Sequence, residues 1–325
     1  MIRHHPNGKT RQLAAGGSMT GDTNDNSRAA LFMTLAMALF AIEDAFIKGL
    51  SHAIPVWQIL AMTGALCMVA FWVQMARKGV PFVTRALIHP RVMTRNAGEV
   101  IGTFGFVTAL ATGELSSTSA ILQVLPLALV LGGAVFLGEK VGWRRWLSVA
   151  IGFAGVMLIL RPGTAAFHPS MLWAVLGVIG LMIRDLTTRL IPRDIPSDQL
   201  SASAFGAIAI AGVVLAVLPG DPPVMPGLRE LGYVVGTVVF GVLAYAALVA
   251  ASRLGEASVI APFRYTRLAF ALFVAAVVFG ERPDLPMLIG AGLIAAAGGY
   301  AMWREANLRR RARTPAASLV KRGET

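Results

Sequence analysis

Long apolar runs constrain this chain more than any other feature of its sequence. Successive apolar segments are separated by short stretches rich in Pro, Gly and charged residues. A helix needs about 20 mostly apolar residues to cross the hydrocarbon core of a bilayer. The runs therefore predict ten transmembrane helices, or spans, at residues 29–50, 55–76, 95–113, 117–138, 144–161, 169–190, 200–218, 230–252, 257–279 and 285–303.

The composition supports an all-α polytopic membrane protein. Of the 325 residues, 56% are hydrophobic and 14% are charged, whereas a soluble globular domain carries about 25% charged residues. The one cysteine, Cys67, lies inside an apolar run. A single cysteine excludes an intramolecular disulfide and a cysteine metal cluster. We also expect neither a metal nor a cofactor.

The net charge of +12 indicates orientation in the membrane. On a soluble protein such a charge would suggest nucleic acid. With the N-terminus in the cytoplasm, 22 of the 29 basic residues fall on the cytoplasmic side and 3 in the opposite loops. This bias predicts that both termini lie in the cytoplasm, and it accounts for the charge without a nucleic-acid partner.

The predicted tails are residues 1–28 and the basic segment 304–325, whose arginines are expected to contact membrane lipids. Residues 1–28 are polar and lack the apolar stretch of a cleaved signal peptide, so the first span is expected to act as an uncleaved anchor. Met19 is an alternative to Met1 as the start of translation.

The chain repeats itself at a spacing near 141 residues. Asp44 is followed four residues later by Lys48, and Asp185 is followed four residues later by Arg189. Other matches are Gly113-Glu114 with Gly255-Glu256, Ser116 with Ser258, and Phe136–Glu139 with Val278–Glu281. Each unit holds five spans, an odd number, so the second unit is inverted relative to the first. Such repeats are typical of secondary transporters, and a channel is the less favoured alternative.

An enzymatic role is not expected. The sequence has no His-Glu-x-x-His pattern and no Gly-x-x-x-x-Gly-Lys phosphate loop. The five histidines fall in predicted tails or loops at His4, His5, His52, His89 and His168. These absences also argue against an ATP-driven pump formed by this chain alone.

Several motifs resemble one transporter family. They are Phe136–Glu139, Trp143–Trp146, Gly152–Gly155, Leu160–Gly163, Ala261–Arg267 and Phe279–Asp284. In this order on ten spans they resemble the drug/metabolite transporter superfamily in its ten-helix form with two EamA repeats, here residues 29–163 and 168–303. The resemblance implies a central cavity lined by spans 1, 3, 4, 6, 8 and 9 and a small organic substrate. Candidates are riboflavin uptake, which the last two motifs favour, S-adenosylmethionine uptake and amino-acid or metabolite export.

Charged residues within the spans are the first candidates for function, because a charge at the bilayer centre costs about 2.5–3.5 kcal/mol. Asp44 and Lys48 are four residues apart on one face of span one and are expected to pair. Glu43 faces another direction, which favours proton coupling or substrate contact. Arg184 and Asp185 occupy the mirrored position in span six. The alternative for all of them is a set of structural ion pairs.

Spans three, four and nine supply the other candidates. Arg95 is expected to anchor at the interface, with Glu99 one turn deeper. Arg264 and Arg267 lie near one helix face, where they would contact an anionic or carbonyl-rich substrate or, alternatively, lipid phosphate. The complete set of predicted substrate-binding or coupling residues is Glu43, Asp44, Glu99, Gln123, Arg184, Asp185, Arg264, Tyr265 and Arg267.

Four further features concern the scaffold. Pro126 and Pro262 are predicted to kink spans four and nine. Glu139 and Glu281 are interpreted as helix caps or loop ties. Two faces of small residues, Gly232–Gly236 and Ala291–Gly299, favour close helix packing within the chain or a homodimer contact.

Overall fold

The computed structural model describes residues 19–81, 84–139, 141–165, 167–192, 195–217, 221–254 and 260–320, and these form helices and short connections. The helices are α1 (Met19–Ser51), α2 (Val56–Arg77), α3 (Pro90–Thr112), α4 (Leu115–Leu122), α5 (Leu125–Phe136), α6 (Trp143–Leu160), α7 (Met171–Thr188), α8 (Ser197–Ala216), α9 (Leu228–Leu254), α10 (Thr266–Phe279) and α11 (Leu285–Val320). Two short 3-10 helices lie at Arg85–Ile88 and Ala261–Tyr265.

Some sequence predictions concern residues outside this description. They include the N-terminal residues 1–18, the repeat matches Gly255, Glu256 and Ser258, and the basic residues Lys140, Arg193, Lys321 and Arg322. The side chains of Arg253 and of the tail arginines 309–313 also lie outside it.

The predicted all-α membrane architecture is confirmed. Among the described residues, nine helical segments are long and apolar enough to cross a bilayer. Helix α3 is the tenth crossing: its 23 residues are long enough, but it carries Arg91, Arg95 and Glu99. The chain is therefore a multi-pass membrane protein with ten transmembrane helices.

Both predicted proline breaks are present. Span four consists of α4 and α5, separated at Gln123 and Val124, and Pro126 lies in the first turn of α5. Pro262 lies in the 3-10 helix that precedes α10. Proline lacks a backbone N–H and cannot complete the helical hydrogen-bond pattern, so each span bends at this point.

Helix pairing follows the inverted repeat. The most extensive contacts join α3 with α7, α1 with α9, α2 with α8, and α6 with α11. Since α1 corresponds to α7 and α3 to α9, the first two pairs are the same contact made twice. The last two pairs each join a helix to its own counterpart, which is the arrangement that a two-fold axis between inverted units produces.

Glycines allow the backbones of these pairs to approach closely. Gly98, Gly102 and Gly105 share one face of α3 and contact α7, where a Cβ on Gly180 would lie 2.2 Å from the Gly102 nitrogen. Helices α6 and α11 cross at Gly155 and Gly290, where a Cβ on either glycine would lie within 3 Å of the other's carbonyl oxygen. Small residues permit the dispersion contacts that hold helices together where water is absent.

The helix ends define two faces of the bundle. The Ser51 face contains the turn after α1, and there Arg161 pairs with Asp284 and Gln58 bonds the backbone of Val224. Hydrogen bonding to Arg161 holds the pKa of the exposed Asp284 carboxyl below its usual value. The Arg77 face, at the end of α2, is tied by other contacts, between Lys78 and Asp198, Arg91 and the Leu190 carbonyl, and Gln199 and Thr84.

We expect Gly180→Ala to destabilise the fold by about 1–3 kcal/mol, because its methyl group would overlap the α3 backbone. Reaction of the buried thiol of Cys67 with a fluorogenic maleimide during heating provides the readout. Gly292→Ala is the matched control: a Cβ there meets nothing within 4 Å, so its unfolding temperature should match that of the wild type. Equal unfolding temperatures for both variants would contradict the proposed importance of this crossing.

Candidate functional site

A buried ion pair joins span one to span nine. Both carboxylate oxygens of Asp44 lie 2.8 Å from Arg267 Nη2, and Asp44 is only 1% exposed. The guanidinium also lies over the rings of Phe40 and Phe106, at 5.1 and 5.8 Å from their centroids. This paired, planar contact is one that arginine makes and lysine cannot.

The expected pairing of Asp44 with Lys48 is therefore wrong. Lys48 Nζ instead lies 2.9 Å from Glu281 Oε1 and donates to the Gly113 carbonyl at 2.8 Å. Glu281 also accepts hydrogen bonds from the backbone N–H groups of Leu115 and Ser116, at 2.7 and 2.9 Å. It thus caps the N-terminus of α4 from the other repeat, in agreement with its interpretation as a cap or loop tie.

Glu43 has no hydrogen bond or ion pair with any described residue. Its carboxylate lies against α9, where a Cβ on Gly241 would be 2.6 Å from Glu43 Oε1. It interacts electrostatically with Asp44 and Arg267. An acid inside the bundle without a direct partner is a candidate for proton binding or for contact with a cationic substrate group.

A second charged cluster lies nearer the Arg77 face. Arg184 bonds Glu99 at 3.0 Å and Asp185 at 2.7 Å, and Arg95 lies 3.6 Å from Glu99. The close approach of α3 and α7 at Gly98 makes these contacts possible. Arg95 is buried and donates to the Leu200 carbonyl, so it ties α3 to α8 rather than anchoring at the membrane interface.

The two arginines of span nine face different neighbours. Arg267 is held by Asp44, whereas the side chain of Arg264 is exposed and interacts electrostatically with Asp185 and Arg184 of α7. The interaction with two residues of α7 favours an orientation toward the bundle over one toward lipid. Arg264 has no direct side-chain hydrogen bond or ion pair among the described residues.

Gln123 and Tyr265 lie where spans four and nine meet. Gln123 Nε2 donates to the Arg264 carbonyl at 3.3 Å. The hydroxyl of Tyr265 is buried against Gly298 of α11 and, within the described part of the chain, has no hydrogen-bond partner. Each break thus places a buried polar group beside it.

The arrangement combines paired and unpaired charge. Four acids, Glu43, Asp44, Glu99 and Asp185, accompany four arginines, Arg95, Arg184, Arg264 and Arg267. Glu43 and Arg264 are the members without a direct partner among the described side chains. One acidic and one basic group of this kind suit a polar or amphoteric organic solute. A separate pocket of about 230 Å³ near the Ser51 face contains none of the nine predicted residues.

Comparison with known proteins identifies the family. The EamA-like transporter family matches residues 27–161 and again residues 168–299. The chain belongs to the EamA-like transporter family. The resemblance to the drug/metabolite transporters is thereby confirmed, and so is the expectation that this is a transporter and not an enzyme.

Individual relatives of this EamA transporter differ in what they carry. A riboflavin transporter of Rhizobium johnstonii is 28% identical over 310 residues, which cover 88% of this chain and 94% of that protein. An S-adenosylmethionine uptake transporter of Rickettsia bellii is 26% identical over 204 residues, covering 63% and 69%. A pseudopaline exporter of Pseudomonas aeruginosa is 23% identical over 268 residues, covering 82% and 93%.

A solved crystal structure shares the fold of this EamA transporter. It is 19% identical, superposes with a TM-score of 0.56, and covers 92% of this chain and 99% of its own. This likeness concerns the fold alone.

Sequence reasoning missed how closely Lys48 and Glu281 are connected. The signal was present in the repeat: Glu281 corresponds to Glu139, and Lys48 corresponds to Arg189, at spacings of 142 and 141 residues. A contact between units occurs twice in an inverted repeat, so the four residues form two equivalent pairs. A search for matched opposite charges would have found them.

We expect Asp44→Asn to lower the free energy of unfolding by about 3–5 kcal/mol, because it leaves the Arg267 guanidinium unpaired inside the bundle. The repeat-related variant Asp185→Asn is the control. Its side chain is 29% exposed and Arg184 keeps Glu99, so the loss should stay below about 1 kcal/mol. Thermal unfolding in detergent measures both, and similar losses would show that Asp44 is not the more tightly held carboxylate.

Proposed function

We propose that this EamA transporter is a secondary carrier that moves a small organic metabolite across the bacterial inner membrane by alternating access. The leading substrate is riboflavin, taken up into the cell. The proposal depends on the pair of inverted five-helix units and on the four acids and four arginines that lie inside the bundle. Of these charged residues, Arg264 and Glu43 lack direct partners among the described side chains. Alternating access requires two related units that exchange arrangements.

The hydrogen-bonding groups of riboflavin match the polar side chains inside the bundle. The molecule is neutral and has a flat ring system whose edge carries carbonyl oxygens. A guanidinium presents planar, paired donors to such an edge, and we assign this role to Arg264. The riboflavin transporter relative aligns over nearly the whole chain, whereas the S-adenosylmethionine relatives align over about two-thirds of it.

S-adenosylmethionine uptake is the second candidate. That substrate carries a sulfonium cation and an amino-acid group, so it would contact a carboxylate, and Glu43 suits this role because it has no direct partner among the described side chains. Export of an amino acid or another metabolite by the same fold is the third.

The proposed orientation follows the basic residues. Both termini are placed in the cytoplasm, so the Arg77 face is cytoplasmic and the Ser51 face is periplasmic. The basic tail contacts anionic lipid. A homodimer through the small-residue faces remains part of the proposal, although Gly236 packs on Phe46 of α1 and so serves contacts within the chain.

Riboflavin transport is tested with purified protein in proteoliposomes. Labelled riboflavin should enter saturably and should overshoot when unlabelled riboflavin is preloaded, since counterflow is a property of carriers and not of channels. The protein should also restore growth of a riboflavin auxotroph at limiting vitamin. Failure of both assays with confirmed membrane expression would exclude riboflavin. Saturable entry and counterflow of labelled S-adenosylmethionine in parallel liposomes would then support the second candidate.

Arg264→Ala tests the site in the same assay. Loss of a charged hydrogen bond worth about 1.5–3 kcal/mol should raise the half-saturation concentration about 10- to 100-fold. Arg77→Ala is the control, because Arg77 is exposed at the end of α2 and should leave transport unchanged. An unaltered half-saturation concentration in Arg264→Ala would remove Arg264 from the substrate contacts.

Proton coupling is assigned to Glu43. If this acid exchanges a proton with the substrate cycle, Glu43→Gln should abolish accumulation driven by a pH gradient while counterflow at equal pH persists. Asp25→Asn, an exposed acid in the first turns of α1, should retain both activities. Accumulation that still follows the pH gradient in Glu43→Gln would assign coupling to another group.

A further inference from the structure

Two ion pairs between the units are related by the repeat and lie at opposite faces. At the Ser51 face Lys48 pairs with Glu281, and at the Arg77 face Arg189 pairs with Glu139. Lys48 corresponds to Arg189 and Glu139 to Glu281. Each pair joins a residue of one unit to a residue of the other, so the two pairs are one contact made twice.

The two copies are in different states. The Lys48–Glu281 distance is 2.9 Å, and each side chain is 8% exposed. The Arg189–Glu139 distance is 3.7 Å, and these side chains are 51% and 45% exposed. Ion pairs that are half exposed at such a distance contribute little. The first pair is closed and the second is loose.

The closed pair has additional partners. Glu281 accepts hydrogen bonds from the first two backbone N–H groups of α4, and Lys48 Nζ donates a hydrogen bond to the Gly113 carbonyl. Burial by itself raises the pKa of Glu281, but hydrogen bonds from Ser116, Lys48 and Leu115 outweigh it, so the pKa is lowered. The carboxylate is therefore ionised at neutral pH and holds α1, α4 and the end of α10 together.

The loops that carry the two acids have the same backbone. Gly138 and Gly280 both adopt left-handed φ values, 65° and 66°. The Glu139 N–H bonds the Gly133 carbonyl at 3.0 Å, and the Glu281 N–H bonds the Ala275 carbonyl at 3.1 Å. The difference between the two states therefore lies in the side chains and their partners and not in the loop conformation.

The loose acid rests on its own helix. A Cβ on Gly133 would lie 2.7 Å from Glu139 Oε2, so the carboxylate occupies the space that glycine leaves free. The equivalent position in the second unit is Ala275, whose methyl group fills this space. Glu139 therefore has a resting place beside its own helix, only loosely paired with Arg189, that Glu281 lacks.

We propose that Lys48–Glu281 and Arg189–Glu139 are reciprocal latches, the first closing the Ser51 face and the second closing the Arg77 face. In the described state the first latch is tight and the second is loose, with Gly133 accommodating the Glu139 carboxylate. In the opposite state Glu139 engages Arg189 and Glu281 leaves α4. This inference rests on the proposed alternating access but does not depend on which substrate is carried.

Distances between spin labels test the latches without a substrate. In a Cys67→Ser background, labels at His52→Cys and Arg282→Cys report on the Ser51 face, and labels at Trp143→Cys and Leu190→Cys report on the Arg77 face. Adding Glu281→Gln should lengthen the first distance and shorten the second, because the closed latch is lost. Lys48→Gln is the second variant and should give the same change.

Three controls make the result specific. Asp284→Asn removes the more exposed Arg161 pair at the same face and should leave both distances unchanged. Glu139→Gln should leave the Ser51 face closed. Gly133→Ala should displace Glu139 from its resting place and shift both distances in the same direction as Glu281→Gln, to a smaller extent.

The outcomes separate this inference from the proposed function. Unchanged distances in folded Glu281→Gln and Lys48→Gln protein would overturn the latches, even if the wild type transports riboflavin. An equal shift in Asp284→Asn would also overturn them, since any ion pair at that face would then suffice. The expected shifts in a protein that carries none of the tested solutes would uphold the latches and reject the proposed substrates.

Discussion

Lipid cannot solvate a charge inside the hydrocarbon core, so a partner within the protein stabilises most of the charged groups in this bundle. Asp44 meets this constraint with both of its oxygens on Arg267 and two aromatic rings beside the guanidinium. Arg184 meets it with two acids, Glu99 and Asp185. The Asp44–Arg267 and Arg184–Glu99 contacts join helices that are distant in sequence, and the Arg184–Asp185 contact sets the direction of two neighbouring side chains. The same contacts therefore determine both the positions of the spans and the chemistry of the centre.

The glycine crossings and the charged centre depend on each other. At Gly98 the backbone of α3 approaches that of α7 closely enough for Glu99 to reach Arg184. On the other side of the bundle Gly241 of α9 leaves space for the Glu43 carboxylate beside α1. A larger residue at either glycine would separate the helices and also move an acid. The small residues therefore serve packing and at the same time determine which charged groups meet at the centre of the transporter.

The sequence was sufficient for the spans, the proline breaks and the repeat, because each of these depends on local properties such as run length, residue type and spacing. It was also sufficient to select charged residues inside the spans. It did not predict their partners. Asp44 and Lys48 lie on one helix face, but a pair at this spacing contributes only about 0.2–0.5 kcal/mol. Contacts with another helix, Arg267 for Asp44 and Glu281 for Lys48, replace it. Such contacts depend on how the helices are rotated relative to each other. The residue pattern of a single helix gives no information about this rotation.

An inverted repeat with identical units would give both faces the same free energy when closed. Any preference for one state must therefore come from positions at which the units differ. Three such differences occur at the latches, and all three favour the closed Ser51 face. Ala275 denies Glu281 the resting place that Gly133 gives Glu139. The ring of Phe279 lies 5.2 Å from Lys48 Nζ, whereas its counterpart Leu137 offers Arg189 no aromatic face. Lysine at the first latch is also a compact charge that fits between the Gly113 carbonyl and Glu281.

Since about 1.4 kcal/mol changes a ratio of populations tenfold, a few contacts of this size are enough to favour a closed Ser51 face. The residues that differ between the two units thus determine which face of the transporter is closed at rest. The residues that are the same in both units give it the ability to alternate.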